Sequence, residues 1–551
     1  MALTSALVGV GVKTALRHRA RALSNEAQWG RSASAIQQAQ LRWLLGRAGT
    51  TAFGAKHRFA KIRNHTKNDL VRAFRDAVPI AGFSQFKPWL DRMRLEAEPD
   101  VAWPGLVRDW AQTSGTTEGE KYVPISRDLL AHNRKAGLDA IAHAMRFGVD
   151  IAWAFRGKAL VLGGSSALVE EDNGLRWGDL SGISTRLMRW PFSASILPSR
   201  EIGLIGNWPT KLERMAREAM GADIRWINGM PSWALRLLEK MHDIAASHGA
   251  PFETLKEVWP NLTLFVHGGV RYEPFERRMR EAWSGSPDGE DIPVRVEAYA
   301  ASEAFVALQD RKGDPGLRLN LDHRVYYEFV PLEEVERNDA RAFDVADVEP
   351  GQRYAIVLTN CSGLWRFLLG DVVEFDTVPP DGPPRLRIVG RVRHFMNAFG
   401  EHIIVDNIER AAVEAQRESG LTIGEFTAAP VYPDGKQQAR IELAVEFADA
   451  ATLTAAQRER FGSILDASLQ AQNMDYAAKR RDDAGIAPPC ITPLPIGTFH
   501  AWMASEGKLG GQHKCPRCAN NREIIDAVHA VAHRATLMAE VKHANDIYST
   551  S

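Results

Sequence analysis

Short apolar runs alternate with helical stretches through the middle of the chain, and this alternation constrains the fold more than any other feature of the sequence. The runs typical of strands are Ala159–Leu162, Leu262–Val266, Val294–Ala300, Val325–Val330 and Tyr354–Leu358. Helical hydrophobic spacing separates several of them, at Thr210–Met220 and Ser232–His242. Strands that alternate with helices form parallel or mixed sheets with helices on their faces. The sequence therefore predicts an α/β fold with mixed or parallel sheets flanked by helices.

The chain is too long for one ordinary domain, and its pattern changes near residue 380. It has 551 residues, whereas domains usually have about 100–200. The turn-rich stretch Pro379–Pro384 indicates a break. The elements expected beyond it are helices at Asn407–Ser419, Ala455–Leu469 and Arg522–Val541 and strands at Phe426–Val431 and Ala439–Phe447. We therefore predict a large N-terminal domain at 1–389, a hinge at 390–396 and a smaller mobile α+β domain at 397–551.

The composition argues against several classes of protein. The 68 basic residues equal the 68 acidic ones, so no net positive field favours nucleic acid. The four cysteines are too few for a disulfide framework, which is typical of a reducing cytoplasm. No apolar run reaches the roughly 20 residues of a membrane span, and Leu7–Arg21 is better interpreted as a packed amphipathic helix than as a membrane-surface one. We therefore expect a cytoplasmic protein with no nucleic-acid or membrane partner, and we favour a monomer.

A loop rich in serine, threonine and glycine is the first of five segments that could carry chemistry. It runs from Thr113 to Gly119, and the residues after it, Lys121–Ile125, are typical of a strand. Hydroxyl groups and closely approaching backbone N–H groups suit phosphate oxygens. The loop lacks the Gly-Lys-Ser/Thr of a Walker loop. The loop could bind phosphate between two strands, and an ordinary surface turn is an equally good interpretation of its composition.

Two further segments place acidic residues next to apolar strands. In the run Val296–Glu303, Glu303 follows a strand and could hold Mg²⁺, which prefers oxygen ligands, and Tyr299 could stack on a purine. In the run Leu364–Val373, Asp371 follows a glycine at the mouth of a strand and could accept hydrogen bonds from ribose hydroxyls. Solvent-facing carboxylates beside ordinary strands remain the alternative for both segments, and Arg366 could be structural or could face phosphate.

The last two segments follow the predicted break. Gly390–Glu401 has a glycine and an arginine suited to a hinge, although it could also be a plain linker. Gly507–Lys514 is a glycine-rich loop whose lysine could neutralise charge on a phosphate or carboxylate, although it could also be a solvated loop. The nearby Cys515 and Cys518 lack the second pair of Cys or His ligands that structural zinc usually needs. Neither a zinc site nor a redox pair is favoured there.

These five segments, in this order, resemble the auxin-responsive-promoter family of acyl-acid amido synthetases, within the acyl-adenylate-forming superfamily. The resemblance begins around residues 37–59 and extends to the Gly-Gly-Gln-His-Lys run that ends at Lys514. It implies that Ser114, Gly115, Thr116 and Thr117 form the family's phosphate-binding loop. It also implies that Gly269 and Val270, after the strand Leu262–Val266, border the adenine.

The same resemblance implies roles for the remaining segments. Tyr299 and Ser302 belong to the family's aromatic-to-glutamate motif, and Glu303 is its metal contact. Asp371 matches the ribose-binding aspartate and Arg391 the arginine of the hinge region. Lys514 matches a lysine that approaches the reacting carboxylate and α-phosphate. The departures are Trp365 and His402, which stand where tyrosine and, in plant members, lysine are common.

The reaction implied by this resemblance has two steps. A carboxylic acid is activated with ATP and Mg²⁺ to an acyl-adenylate with release of pyrophosphate, and the acyl group is then transferred to the amine of an amino acid. The implied partners are therefore two small molecules, the acid and the amino acid. One alternative is an acyl-CoA ligase, which shares the first step. The other is a nucleotide-binding protein without catalysis, and the joint presence of Glu303, Asp371 and Lys514 argues against it.

Overall fold

The structure is a computed structural model, and its contacts divide the chain into two compact units. Unit 1 takes in most residues before 389, and unit 2 takes in residues 273–277 together with most residues from 389 onward. The described residues are 2–113, 121–163, 168–187, 192–270, 272–335, 337, 339–391, 395–396, 403–432, 439–473, 476–477, 480, 486–507, 515–519 and 521–534.

Helices dominate the first hundred residues and then alternate with strands. The helices before residue 285 are α1 (Ala2–Ser24), α2 (Glu26–Arg47), α3 (Ala52–Lys56), α4 (Phe59–Ile62), α5 (Lys67–Ala77), α6 (Phe83–Arg94), α7 (Arg127–Arg146), α8 (Ile151–Ala154), α9 (Leu180–Leu187), α10 (Arg200–Gly203), α11 (Trp208–Met220), α12 (Pro231–Ser247), α13 (Leu255–Val258) and α14 (Glu276–Ser284). Short 3₁₀ turns occur at Phe192–Ser195, Glu273–Phe275 and Leu332–Glu334.

The strands up to residue 391 form two sheets. They are β1 (Asp109–Thr113), β2 (Lys121–Ile125), β3 (Lys158–Val161), β4 (Val169–Glu170), β5 (Arg176–Gly178), β6 (Ile196–Leu197), β7 (Ile224–Gly229), β8 (Leu264–Gly268), β9 (Val294–Ala300), β10 (Phe305–Gln309), β11 (Leu317–Leu319), β12 (Val325–Pro331), β13 (Arg353–Asn360), β14 (Phe367–Thr377) and β15 (Arg385–Arg391). The smaller sheet has the order β2-β1-β5-β4, and the larger sheet has the order β12-β13-β14-β15-β11-β10-β9-β8-β7-β3-β6.

The larger sheet is parallel at one end and antiparallel at the other. β6, β3, β7, β8 and β9 pair in parallel, whereas β10 pairs antiparallel with β9 and with β11. The carboxyl ends of β7, β8 and β9 therefore lie along one edge. In open α/β sheets, ligands bind outside such an edge, near the point where the strand pattern changes.

Apolar faces of helices and strands meet in the core of unit 1. Leu41, Leu44 and Leu45, which the sequence places on one side of a helix, are buried on α2. Every residue of β12 is buried as well, as expected for a strand that reads as a nearly continuous apolar run. Burial of each such leucine contributes about 1.5–3 kcal/mol. The buried face of α2 therefore packs in the same apolar cluster as strands of the sheet on which the candidate site is built.

Unit 2 is a small α+β arrangement with helices on both faces of a three-stranded sheet. Its elements are β16 (Phe395–Met396), β17 (Ile403–Ile404), α15 (Val405–Ser419), β18 (Ile423–Val431), β19 (Arg440–Phe447), α16 (Ala455–Gln472), β20 (Cys490–Pro495), α17 (Thr498–Ser505) and a helix at 523–534. The sheet order is β18-β19-β20. α15 and α16 pack in one apolar cluster with this sheet, and α17 and the last helix pack in another.

The predicted fold class is confirmed, and the bounds of predicted strands differ in places from those in the structure. The strand expected at Leu262–Val266 begins at Leu264 and continues through Gly268. The stretch Pro379–Pro384 lies in the turn between the paired strands β14 and β15. Among the described residues, every helix is too short or too polar to cross a membrane.

Candidate active site

Two residues predicted to bind nucleotide meet in the interior of unit 1. Tyr299 lies on β9 and Asp371 on β14, and the Tyr299 hydroxyl donates to Oδ2 of Asp371 at 2.5 Å. Their exposed fractions are 5% and 6%. A hydrogen bond to an ionised carboxylate is stronger than one between neutral groups. The contact therefore fixes the orientation of each side chain relative to the other.

A β-bulge next to Asp371 changes its environment from that of a regular strand. The register between β13 and β14 shifts beside Ala355 and Val357, so β14 has extra residues at this point. Gly370 lies there with a φ of +89°, which glycine adopts with little strain. Bulges often redirect a side chain next to a functional site. The expected position of Asp371 at the mouth of a strand is therefore wrong, because the strand begins at Phe367 and contains it.

The turn between β9 and β10 presents Ser302 and Glu303. The N–H of Ala301 donates to the carbonyl of Ala304 at 2.9 Å and closes this turn. Ser302 is buried, whereas Glu303 is partly exposed. The turn thus sets a carboxylate directly after the strand that carries the tyrosine of the buried pair.

Glycine allows β8 to approach β9 closely at the same edge. Gly268 is opposite Ala298, and a Cβ on Gly268 would lie 2.2 Å from the carbonyl oxygen of Ala298. Gly269 follows with a φ of +86°, and Val270 comes next. These residues leave β8 beside the end of β9, where Tyr299 lies. The segment predicted to border the adenine and the aromatic residue therefore follow neighbouring parallel strands.

A turn after β13 connects several of these segments, and sequence reasoning missed it. Asn360 donates from Nδ2 to the carbonyl of Glu303 at 2.8 Å, and its Oδ1 accepts from the N–H of Ser362 at 2.9 Å. The Ser362 hydroxyl donates to the carbonyl of Pro124 on β2 and accepts from the N–H of Ser126 at 2.8 Å. The visible signal was a small polar run, residues 360–363, between two apolar strands.

Most of the remaining predicted site residues lie outside the described residues, and Arg391 lies in unit 2. Those that lie outside the described residues are Ser114, Gly115, Thr116, Thr117 and Lys514. The first four fall between β1 and β2, which pair antiparallel with Thr113 opposite Lys121. Arg391 is the last residue of β15, is exposed and belongs to unit 2.

Arg366 is a structural residue in the core. Its guanidinium donates to both carboxylate oxygens of Glu328 at 2.9 and 3.2 Å and to the carbonyl of Val78 at 2.8 Å. Both side chains of this ion pair are buried. Arg75 donates to the same carboxylate at 2.8 Å. Of the two possibilities left by the sequence, the contacts favour a structural role over a phosphate contact.

A cluster of Asp139, Asp322 and His323 has ligand atoms close enough to share a cation. Its charge is already balanced, however, because Arg19 donates to both carboxylates and Lys135 donates to Asp322 at 2.8 Å. Burial would raise the pKa of Asp139, but hydrogen bonds from Arg19 and His323 hold it below its usual value. The cluster is thus an ion-pair network between α1, α7 and the segment before β12.

Cys515 and Cys518 are buried in unit 2. Burial raises the pKa of the Cys518 thiol to about 12 and raises that of Cys515 as well. Buried thiols with raised pKa values are poor nucleophiles. Cys518 lies in the apolar cluster that contains α15 and α16, and Cys515 lies in the cluster that contains α17 and the last helix. Both side chains therefore serve the packing of the segment that follows Lys514.

Solved structures share the fold of this chain. The GH3.15 acyl acid amido synthetase superposes with a TM-score of 0.72 at 18% identity, covering 91% of this chain and 94% of that one. A 2-hydroxyisobutyryl-CoA ligase in its postadenylation state superposes with a TM-score of 0.54 at 16% identity, covering 90% and 91%. The fold of this chain is thus shared with an acyl acid amido synthetase and with a CoA ligase.

Sequence comparison identifies the family. The GH3 family N-terminal domain matches residues 24–198, its central domain residues 319–391 and its C-terminal domain residues 406–523. The chain belongs to the GH3 family, which confirms the resemblance found in the sequence. Indole-3-acetic acid-amido synthetase GH3.8 of Oryza sativa subsp. indica is 27% identical over 307 residues, which are 52% of this chain. The chain spans about half the length of that relative, 49%.

Proposed function

We propose that this protein is an ATP-dependent acyl-acid amido synthetase that forms an acyl-adenylate and transfers the acyl group to the amine of an amino acid. The observation that carries the proposal is the buried contact between Tyr299 and Asp371, with Glu303 in the turn that follows β9. Membership of the GH3 family and the names of the relatives support the reaction class.

In this proposal the nucleotide lies along the carboxyl edge of β8 and β9. Gly269 and Val270 border the adenine, and the ring of Tyr299 stacks on it. A carboxylate has about four lone-pair sites, so Asp371 can accept from Tyr299 and also from ribose hydroxyls. Arg391 contributes a positive charge from the end of β15. The loop formed by Ser114, Gly115, Thr116 and Thr117 donates hydroxyl and N–H groups to the phosphates.

Magnesium fits the donor set of the turn after β9. Glu303 offers a partly exposed carboxylate and Ser302 a hydroxyl, and Mg²⁺ binds oxygen ligands, usually one or two carboxylates together with phosphate oxygens. When bound, the ion would neutralise phosphate charge. The turn would hold the carboxylate toward the nucleotide.

The chemistry consists of two displacements. In the first, a carboxylate oxygen of the acid bonds to the α-phosphorus of ATP as the bond to pyrophosphate breaks. In the second, the amine nitrogen bonds to the acyl carbon, AMP departs and the amine loses a proton. The protein contributes mainly by positioning the reactants and by electrostatic stabilisation. Lys514 would offset the charge that develops between the carboxylate and the α-phosphate.

Movement of the C-terminal part would separate the two steps. We place the large domain at 1–389, the hinge at 390–396 and the mobile domain at 397–551. Closure would bring Lys514 to the nucleotide and would keep water from the adenylate. The balanced charge argues against a nucleic-acid partner, and the free cysteines are typical of a reducing cytoplasm. We therefore propose a cytoplasmic protein that acts on small molecules, and we favour a monomer.

Replacement of Lys514 tests the first step. We expect Lys514→Ala to slow acid-dependent ATP–pyrophosphate exchange by about 10²–10³-fold, because one preorganised charge-stabilising donor is lost, while ATP binding changes less. Lys508→Ala removes a lysine from the same glycine-rich loop and serves as the control. Equal exchange rates for the Lys514 variant, the Lys508 variant and the unsubstituted protein would remove Lys514 from the mechanism.

A further inference from the structure

The backbone around Glu303 is held by side chains from three other parts of unit 1. The carbonyl of Glu303 accepts from Asn360 Nδ2 at 2.8 Å. The N–H of Phe305 donates to His132 Nε2 at 2.8 Å, and the carbonyl of Phe305 accepts from Asn320 Nδ2 at 2.9 Å. All three of these side chains are buried. The turn that presents Glu303 is thus anchored to α7, to the residue that follows β11 and to the last residue of β13.

His132 can act here in only one protonation state. Its Nε2 accepts from the N–H of Phe305, and its Nδ1 lies 2.6 Å from the carbonyl of His323. A ring nitrogen that accepts from an N–H carries no proton, so the proton is on Nδ1 and is donated to that carbonyl. Burial, with the neighbouring His323, lowers the pKa of His132 to about 3. The imidazole therefore stays neutral and keeps both hydrogen bonds throughout the usual range of enzyme activity.

Asn360 uses both ends of its amide. While Nδ2 donates to the carbonyl of Glu303, Oδ1 accepts from the N–H of Ser362 at 2.9 Å and from that of Leu364 at 3.1 Å. Its side chain is fully buried. Such a residue cannot shift toward one partner without losing another. The amide therefore couples the position of Glu303 to the turn that leads into β14, which carries Asp371.

We propose that His132 and Asn360 are positioning residues that fix the Glu303 carboxylate for metal–nucleotide binding, an inference that rests on the metal role of Glu303 in the proposed function. Neither side chain reaches the reacting atoms in this account. Each acts through a backbone group: Asn360 holds the carbonyl of Glu303, and His132 holds the N–H of Phe305. Residues that orient a metal ligand commonly change metal affinity or activity by about 10–100-fold when they are replaced.

A matched pair of substitutions at His132 isolates the relevant hydrogen bond. In His132→Gln the amide oxygen can take the place of Nε2 and accept from the N–H of Phe305. In His132→Asn the shorter amide can take the place of Nδ1 only, so the N–H of Phe305 loses its partner. Both variants remove the imidazole, and only one keeps the bond to the Glu303 turn.

Asn360→Ser provides a second, independent variant with its own control. Gln37 is also buried, donates to the carbonyls of Leu321 and Val325 at 2.7 and 3.0 Å, and accepts from the N–H of Tyr327 at 2.8 Å. Gln37→Ser therefore removes the same kinds of hydrogen bond from the same unit at another place. Its loss affects the fold, whereas the hydrogen bonds of His132 and Asn360 to the Glu303 turn remain.

The measurement is the free Mg²⁺ concentration that gives half-maximal ATP–pyrophosphate exchange, with the full-length protein at saturating ATP. We expect His132→Asn and Asn360→Ser to raise this concentration by about tenfold or more, whereas His132→Gln and Gln37→Ser leave it near the original value. A purely structural role lowers the amount of active protein and does not change the Mg²⁺ dependence of the activity that remains.

Glu303→Gln separates failure of this inference from failure of the proposed function. If Glu303→Gln raises the Mg²⁺ requirement and His132→Asn and Asn360→Ser do not, the positioning role is refuted while the metal role of Glu303 stands. If Glu303→Gln has no effect on it, the metal role fails, and the positioning inference fails with it. Loss of the folded state in both His132→Asn and Asn360→Ser would also overturn the inference, because these side chains would then serve the fold as a whole.

Discussion

Replacement of Tyr299 by phenylalanine tests the contact on which the candidate site depends. The substitution removes one hydroxyl and leaves the ring, so that Asp371 loses the donor at 2.5 Å. Hydrogen bonds to charged groups contribute about 1.5–3 kcal/mol, and both side chains are almost fully buried. We therefore expect Tyr299→Phe to lower the free energy of unfolding of unit 1 by about 1.5–3 kcal/mol.

The contact should also affect the nucleotide, because Tyr299 orients the carboxylate that we assign to the ribose. We expect Tyr299→Phe to raise the KM for ATP, and Asp371→Ala to raise it further because the carboxylate itself is lost. Tyr272 offers a matched control, since its hydroxyl donates to Asp291 at 2.9 Å. Tyr272→Phe should cost stability in the same way without a change in the KM for ATP.

A double-mutant cycle tests directly whether Tyr299 and Asp371 are in contact. Denaturant unfolding of Tyr299→Phe, Asp371→Ala and the double variant, followed by tryptophan fluorescence, yields the coupling free energy between the two side chains. Residues in direct contact have coupling energies of about 0.5–3 kcal/mol, whereas independent residues are additive within about 0.3–0.5 kcal/mol. Additive effects would refute the contact, and an unchanged KM for ATP in both single variants would refute its link to the nucleotide.

Two further predictions concern the core around the site. Arg366→Met should cost about 3–5 kcal/mol of stability because it breaks a buried ion pair with Glu328, while the KM for ATP of the folded protein stays the same; a selective rise in that KM would contradict the structural role. Burial, with Arg295 nearby, lowers the pKa of His267 from 6.5 to about 3. Between these two pH values the unfolded chain binds a proton that the folded chain does not bind, so the free energy of unfolding falls as the pH is lowered. His267→Phe should reduce the slope of unfolding free energy against pH by up to about 1.4 kcal/mol per pH unit between pH 6 and 4, as measured by urea unfolding; an unchanged slope would show that the imidazole is protonated in the folded state.

Strands in the middle of the larger sheet could be predicted because the pattern of apolar residues that defines them lies within the strand itself. Val294–Ala300 was predicted with the bounds that β9 has in the structure, where its apolar residues Val294, Val296 and Ala298 are buried. The bounds of β8 were less accurate, because the apolar run ends at Val266 in the sequence whereas His267 and Gly268 also belong to the strand. There the strand continues because glycine lets the backbone approach Ala298, a condition set by the neighbouring strand.

The candidate site was predictable in its residue types but not in its contacts. Tyr299 and Asp371 were each singled out from local patterns, yet 72 positions separate them, and only the fold brings them together. The bulge at Gly370 depends on register with β13 and leaves no clear local pattern. His132 and Asn360 were missed for the same reason, since their role consists of hydrogen bonds to backbone groups far away in sequence.

The most direct test of the proposed function follows pyrophosphate release from ATP and Mg²⁺ with a pool of carboxylic acids, in the presence of amino acids, of CoA or of neither, with the products identified by mass. The proposed function predicts acid-dependent release that increases with amino acids and yields an amide. Release that increases only with CoA and yields a thioester would contradict the amide synthetase assignment and support an acyl-CoA ligase. Tight ATP binding without pyrophosphate release under any of these conditions would contradict catalysis itself.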